Sequence, residues 1–78
     1  MLAEGVDAFK VEVPKTLVGM TIRETRVRSE TGCTIIGVSV GGEMKAPPEP
    51  TTVLVEGAEI VLLGSVASEE RFLKAYRA

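Results

Sequence analysis

Cysteine, arginine and glutamate are the side chains from which chemistry in this sequence would have to start. Histidine is absent, which removes the commonest general base and the commonest transition-metal ligand. Cys33 is the one cysteine. A thiol becomes a nucleophile only where a base or cation raises its thiolate fraction. Cys33 instead opens the aliphatic stretch Cys33-Thr34-Ile35-Ile36-Gly37-Val38, where a thiol is expected to serve as a small buried hydrophobe. Glu43, Glu49, Glu56 and Glu59 lie close together in sequence and could offer oxygens to a hard cation, but their spacing matches no calcium loop. A solvated face is the expected reading, since glutamate is mostly exposed. Gly37, Gly41 and Gly42 form neither glycine pattern that cradles a nucleotide's phosphates. We therefore expect no catalytic residue, no metal site and no enzyme.

Charge narrows the partners. Nine basic and eleven acidic residues leave a net charge of −2 and no single-sign field of the kind that neutralises a phosphate backbone, so nucleic acid is not an expected partner. The aromatics Phe9, Phe72 and Tyr76 are too few and too far apart to make a stacking platform for bases and are expected in the core. The longest aliphatic run, Ile60-Val61-Leu62-Leu63, is far short of the roughly 20 residues of a membrane span. The N-terminus shows no signal pattern, and a lone cysteine suits a reducing compartment. The expected location is the cytoplasm.

The elements that must position these residues follow from pattern. Phe9, Val11 and Val13 alternate with Lys10 and Glu12, the period of a strand with one buried face, and Pro14 ends it. Thr21-Ile22-Arg23-Glu24 reads as a capping box, in which the threonine oxygen and the glutamate each satisfy a free backbone N–H at a helix start. The helix carries Arg23, Glu24, Arg26, Arg28 and Glu30 and closes near Gly32. With only Ile22 and Val27 to hold it down, it is expected to be short or broken. Cys33 to Val40 is rich in β-branched residues on both faces and reads as a covered central strand. Gly41-Gly42 supplies a tight hairpin into a short strand from Glu43 to Ala46. Pro47, Pro48 and Pro50 then impose a stiff loop or sheet edge. After a brief segment Val53 to Val55 and a turn at Glu56-Gly57, Glu59 to Leu63 reads as a buried strand. Ser65 caps a last helix through Glu69, Glu70, Phe72, Leu73 and Tyr76, with Lys74 and Arg77 in its final turn.

This order gives one α+β unit over residues 1–78, with an ordered core from about 9 to 77. A chain of this size removes only about 60% of its unfolded surface from water. Extra stability then has to come from tight packing or from a second copy, and a homodimer is expected.

Five phrases in order resemble the TrkA-C domain, also called the C-terminal domain of RCK proteins, from about Phe9 to Tyr76. They are Leu17 to Glu24, Val27 to Cys33, Pro48-Glu49-Pro50, Thr52 to Ser65, and Glu70-Arg71-Phe72-Leu73. The resemblance implies a small β-α-β-β-β-α sandwich of a mostly antiparallel sheet with two helices. It also implies a cytoplasmic regulatory and dimerisation domain, one part of a longer potassium channel or cation transport protein. The domain would follow a dinucleotide-binding TrkA-N domain or a membrane segment and pass ligand binding to the gate. The family's ligand-contacting positions correspond here to Arg28, Thr34, Ile35 and Pro50, with Arg28 as the anion partner and cyclic di-AMP as the ligand of some bacterial members. Where those members place asparagine this chain has Thr34, and Pro47 replaces a polar residue before Pro48. A purely structural oligomerisation module without its own ligand is the alternative.

Overall fold

In the computed structural model, which describes residues 5–76, the chain runs β1 (Val6–Glu12), a 3-10 turn (Lys15–Leu17), α1 (Ile22–Thr25), α2 (Val27–Thr31), β2 (Thr34–Val40), β3 (Glu43–Lys45), β4 (Glu59–Ser65) and α3 (Val66–Ala75). The four strands form one sheet of order β1-β4-β2-β3, with every neighbouring pair antiparallel. This is the expected α+β architecture. Arg77, expected in the last helical turn, lies outside the described residues.

β1 starts at Val6 rather than Phe9 because Val6, Asp7 and Ala8 continue the register against Ser65, Gly64 and Leu63. The polar Asp7 broke the alternation there and hid the extension. On β4 the aliphatic run is not buried throughout: Ile60 and Leu62 are fully buried, whereas Val61 and Leu63 are half-buried on the opposite face. β2 lies between β4 and β3 as a central strand should, but Thr34 and Val40 at its ends are exposed. Its consecutive aliphatics come from a bulge. Register shifts between Ile35 and Gly37, so Ile36 is an extra residue and the period-two pattern slips by one. Gly37 sits at the bulge, where a Cβ would stand 2.8 Å from Met44 Sδ. The Val53 segment makes a single antiparallel bridge to Thr21 and no strand.

The core lies on one face of the sheet. Ile60, Leu62 and Val38 project from the strands, Val27, Cys33 and Phe72 close over them, and Val13, Leu17, Leu54 and Ala58 seal the end. Phe72 packs its ring against Phe9 edge-on at 6.2 Å between centroids and lies 4.9 Å from Tyr76. Each fully buried aliphatic or aromatic side chain contributes about 1.5–3 kcal/mol through removal from water. α3 is held at its start by Ser65, whose Oγ accepts from the Ser68 N–H at 3.1 Å.

Candidate functional site

The site is assembled where α1 and α2 meet the proline loop. α1 opens on the expected capping box: Thr21 Oγ1 accepts the Glu24 N–H at 3.2 Å, and Glu24 Oε1 accepts the Thr21 N–H at 2.9 Å. The Thr21 N–H, and then its hydroxyl at 3.1 Å, hold the Glu24 carboxyl below its ordinary pKa. The next two amides reach across to the loop, Ile22 N–H donating to the Thr52 carbonyl at 3.0 Å and Arg23 N–H to the Pro50 carbonyl at 3.1 Å. Free amide donors of a helix start thereby clamp Pro50 beside α1.

α1 lasts four residues. Arg26 then takes a left-handed conformation, φ 54 and ψ 27, and α2 sets off in a new direction. Thr25 stitches the break: its hydroxyl donates to the Ile22 carbonyl at 2.7 Å and accepts the Val27 N–H at 3.3 Å. At the far end Thr31 Oγ1 donates to the Val27 carbonyl at 2.7 Å and accepts the Cys33 N–H at 3.1 Å, while Gly32 closes the helix with φ 86. The broken helix is as expected from its few apolar positions. Its two buried threonines are the anchors that aliphatic counting missed.

These elements surround an open cavity of about 720 Å³, within the range of small-molecule sites. α1 lends Ile22, Arg23 and Thr25, and the break and α2 lend Arg26, Val27, Arg28 and Ser29. β2 lends Thr34 and Ile35, and the loop lends Pro48 and Pro50. Arg28, Thr34, Ile35 and Pro50, named from the resemblance, thus all line one cavity. Sequence pattern places Arg23 and Arg26 on the short helix and assigns them no role; the structure adds both to the cavity wall. The side chains of Arg23, Arg26 and Arg28 form no hydrogen bond or ion pair with the described residues. The walls are aliphatic, the charge is cationic, and among the described residues no carboxylate lines the space. Such a cavity suits an anion carried on a flat apolar group.

The other chemistry-bearing groups lie elsewhere. Cys33 is fully buried, and burial pushes its thiol pKa up. Glu43, Glu49 and Glu56 are exposed, and Glu59 lies 3.5 Å from Lys10 Nζ. Among the described residues no group of three or more acidic, cysteine or histidine side chains converges on a metal position. No helix among them is long and apolar enough to cross a membrane.

Comparison with known proteins adds relatives. The chain is 35% identical to the GsuK RCK domain over 94% of its own length, with a TM-score of 0.85, and spans 16% of that chain. It shares 24% identity with the RCK C domain of the potassium transport protein KtrA in complex with cyclic diadenosine monophosphate, over 95% of this chain and 87% of that one, TM-score 0.84. The RCK_C domain dimer of S. agalactiae BusR in complex with c-di-AMP matches at 24% identity over 88% and 93% of the two chains, TM-score 0.78. BusR is also known in complex with its busAB-promotor DNA, where the likeness covers 38% of that chain at 22% identity. The KtrA and BusR likenesses are of fold. That complex runs against the expectation of no nucleic-acid partner, which is read from this chain's charge alone. No curated protein sequence matches the chain. The family model of the TrkA-C domain, however, matches residues 8–76, and with nearly the whole chain aligned to it, this protein belongs to the TrkA-C domain family.

Proposed function

We propose that this chain is a cytoplasmic regulatory and dimerisation domain of a potassium channel or cation transport system, which senses a small anionic nucleotide and passes the change to the gate. It would work beside a TrkA-N domain and a membrane subunit. The observation that carries this reading is the meeting of Arg28, Thr34, Ile35 and Pro50 in one cavity with unpaired guanidinium groups. The Arg28 fork takes two oxygens of one phosphate, Ile35 and Pro50 flank a base, and Thr34 offers a hydroxyl. KtrA and BusR, which share the fold, are known with cyclic di-AMP, which supports a nucleotide as the ligand class. A ligand with different affinity for two dimer geometries shifts their populations by that difference, and the shift is what a gate reads.

The second reading, a structural oligomerisation module without a ligand, draws on exposed apolar side chains. Val40, Met44, Val53, Val55, Val66 and Leu73 are 42% to 53% exposed and could meet a second copy. Calorimetric titration with cyclic di-AMP, ATP and NADH, repeated on Arg28→Ala, separates the two. Saturable binding lost in the variant supports the sensor; no heat with any nucleotide from folded protein supports the module.

A further inference from the structure

The cavity holds more positive charge than one phosphate requires. Arg23, Arg26 and Arg28 all line it, in a chain whose net charge is −2. The acids nearest to them in sequence are engaged elsewhere. Glu24 Oε1 accepts from the backbone and hydroxyl of Thr21 at 2.9 and 3.1 Å, and Glu30 Oε2 accepts from the Tyr76 hydroxyl at 3.4 Å. The three guanidinium groups are left without a partner among the described residues, and like charges this close in sequence repel one another. The middle one also stands on strained backbone. Arg26 is the one non-glycine described residue with positive φ, a conformation that asparagine or glycine takes more easily, and such strain gathers at ligand sites.

We propose that the cavity recognises a diphosphate carried on a flat apolar ring, the chemistry of a nucleoside di- or triphosphate, with Arg23 and Arg26 holding the phosphate beyond the one that Arg28 holds. This deepens the regulatory reading above and rests on it. A diphosphate brings more than one negative charge on one ligand, and three arginines line the one cavity. A cyclic dinucleotide keeps its two single charges apart. The ring lies between Ile35 and the prolines at positions 48 and 50. Ser29 and Thr34 offer hydroxyl oxygens, the Thr25 hydroxyl being engaged by the backbone, but among the described residues no amide or carboxylate side chain lines the cavity to read a base edge, so the phosphates and not the base set the preference.

The test is calorimetric titration of the 78-residue chain with ADP, AMP, inorganic pyrophosphate and cyclic di-AMP, repeated on Arg26→Gly and Arg23→Gln. Glycine keeps the positive φ without strain, so Arg26→Gly removes the charge and spares the fold, which a thermal melt verifies. We expect ADP to bind about 10-fold or more tightly than AMP, pyrophosphate or cyclic di-AMP, the scale of one added charge-assisted contact. Either variant should bring ADP to within about 3-fold of AMP. AMP or cyclic di-AMP binding as tightly as ADP, in an Arg28-dependent way, overturns the diphosphate assignment and leaves the sensor reading intact. Pyrophosphate binding as tightly as ADP overturns the role of the ring. No binding of any of the four overturns the diphosphate assignment, and the ATP and NADH titrations above then decide the sensor reading.

Discussion

Arg71 Nε donates to the main-chain carbonyl of Thr31 at 3.1 Å, a contact across 40 residues of sequence that ties α3 to the end of α2. Arg71 Nη2 donates in addition to Ser68 Oγ at 3.1 Å. α2 carries Val27, Arg28 and Ser29 to the cavity, so the position of its cationic wall is set in part from α3. Tyr76, through its hydroxyl bond to Glu30, makes a second tie between the same helices.

Arg71→Ala removes the first tie. It should cost about 1 kcal/mol of stability, the net worth of an ordinary hydrogen bond at a partly solvated position, seen as a lower urea midpoint at unchanged slope. If α3 positions the cavity, the same variant should weaken nucleotide binding several-fold although Arg71 does not line it. Unchanged binding in a folded variant would show that α2 holds its place without α3.

Thr31 should be the more costly of the two partners. It is 1% exposed, and its hydroxyl serves both the Val27 carbonyl and the Cys33 N–H. Valine keeps the shape but leaves that buried amide without its acceptor. Thr31→Val is therefore expected to destabilise by about 1–3 kcal/mol, measured by urea unfolding. A loss no larger than that of an exposed threonine would mean that the Cys33 amide finds another acceptor.

Much of this fold was legible because local chemistry and tertiary structure agree. The capping box at Thr21, the glycine hairpin at Gly41-Gly42 and the serine cap of α3 each follow from a few adjacent residues. The bulge at Ile36 was not legible, because an extra residue in a strand leaves no mark in an already aliphatic run. Nor was the turn at Arg26, since positive φ is rare outside glycine. Arg28, Thr34, Ile35 and Pro50 were named by resemblance to a family. Residue pattern alone would not have brought them together, because the clamp of Pro50 onto α1 is a pair of backbone hydrogen bonds, to which side-chain identity is nearly blind. Arg23 and Arg26 escaped for the related reason that exposed arginines on a helix usually face only water.

Glu24 makes the helix start sensitive to acid. Its carboxylate is stabilised first by the Thr21 N–H and then by the Thr21 hydroxyl, so its pKa in the folded state lies below that in the unfolded chain. A depressed carboxylate pKa contributes stability that is complete above the unfolded value, about 4.3, and is lost as pH falls through the folded value. Acid titration followed by circular dichroism or amide exchange at Ile22 to Thr25 should show α1 loosening only as the pH falls below the ordinary glutamate range. Glu24→Gln should remove that pH dependence, since an amide does not titrate there. A variant that loosens with the same acid midpoint would place the sensitive group elsewhere.

The Cys33 thiol should report the opening of the core. It is fully buried, burial raises its pKa, and the Thr31 hydroxyl offsets this only in part. A disulfide reagent can then reach it only through opening, and the labelling rate follows the open population. For a domain of ordinary stability the native protein should label on the order of 10³-fold or more slowly than the urea-unfolded chain. Gly64 supplies the control. A Cβ at that position would stand 3.0 Å from Cys33 Sγ and 3.2 Å from Ser68 Cβ, tighter than ordinary packing, so these neighbours, both held in the core, would have to give way by a few tenths of an ångström. Gly64→Ala should therefore destabilise by about 1–3 kcal/mol, the usual cost of overpacking, and speed Cys33 labelling by the matching factor. Slow labelling retained in that variant would mean that β4 and α3 part enough to admit the methyl group. Fast labelling of the unaltered protein would mean that this corner of the core opens on its own, independently of the rest of the sheet.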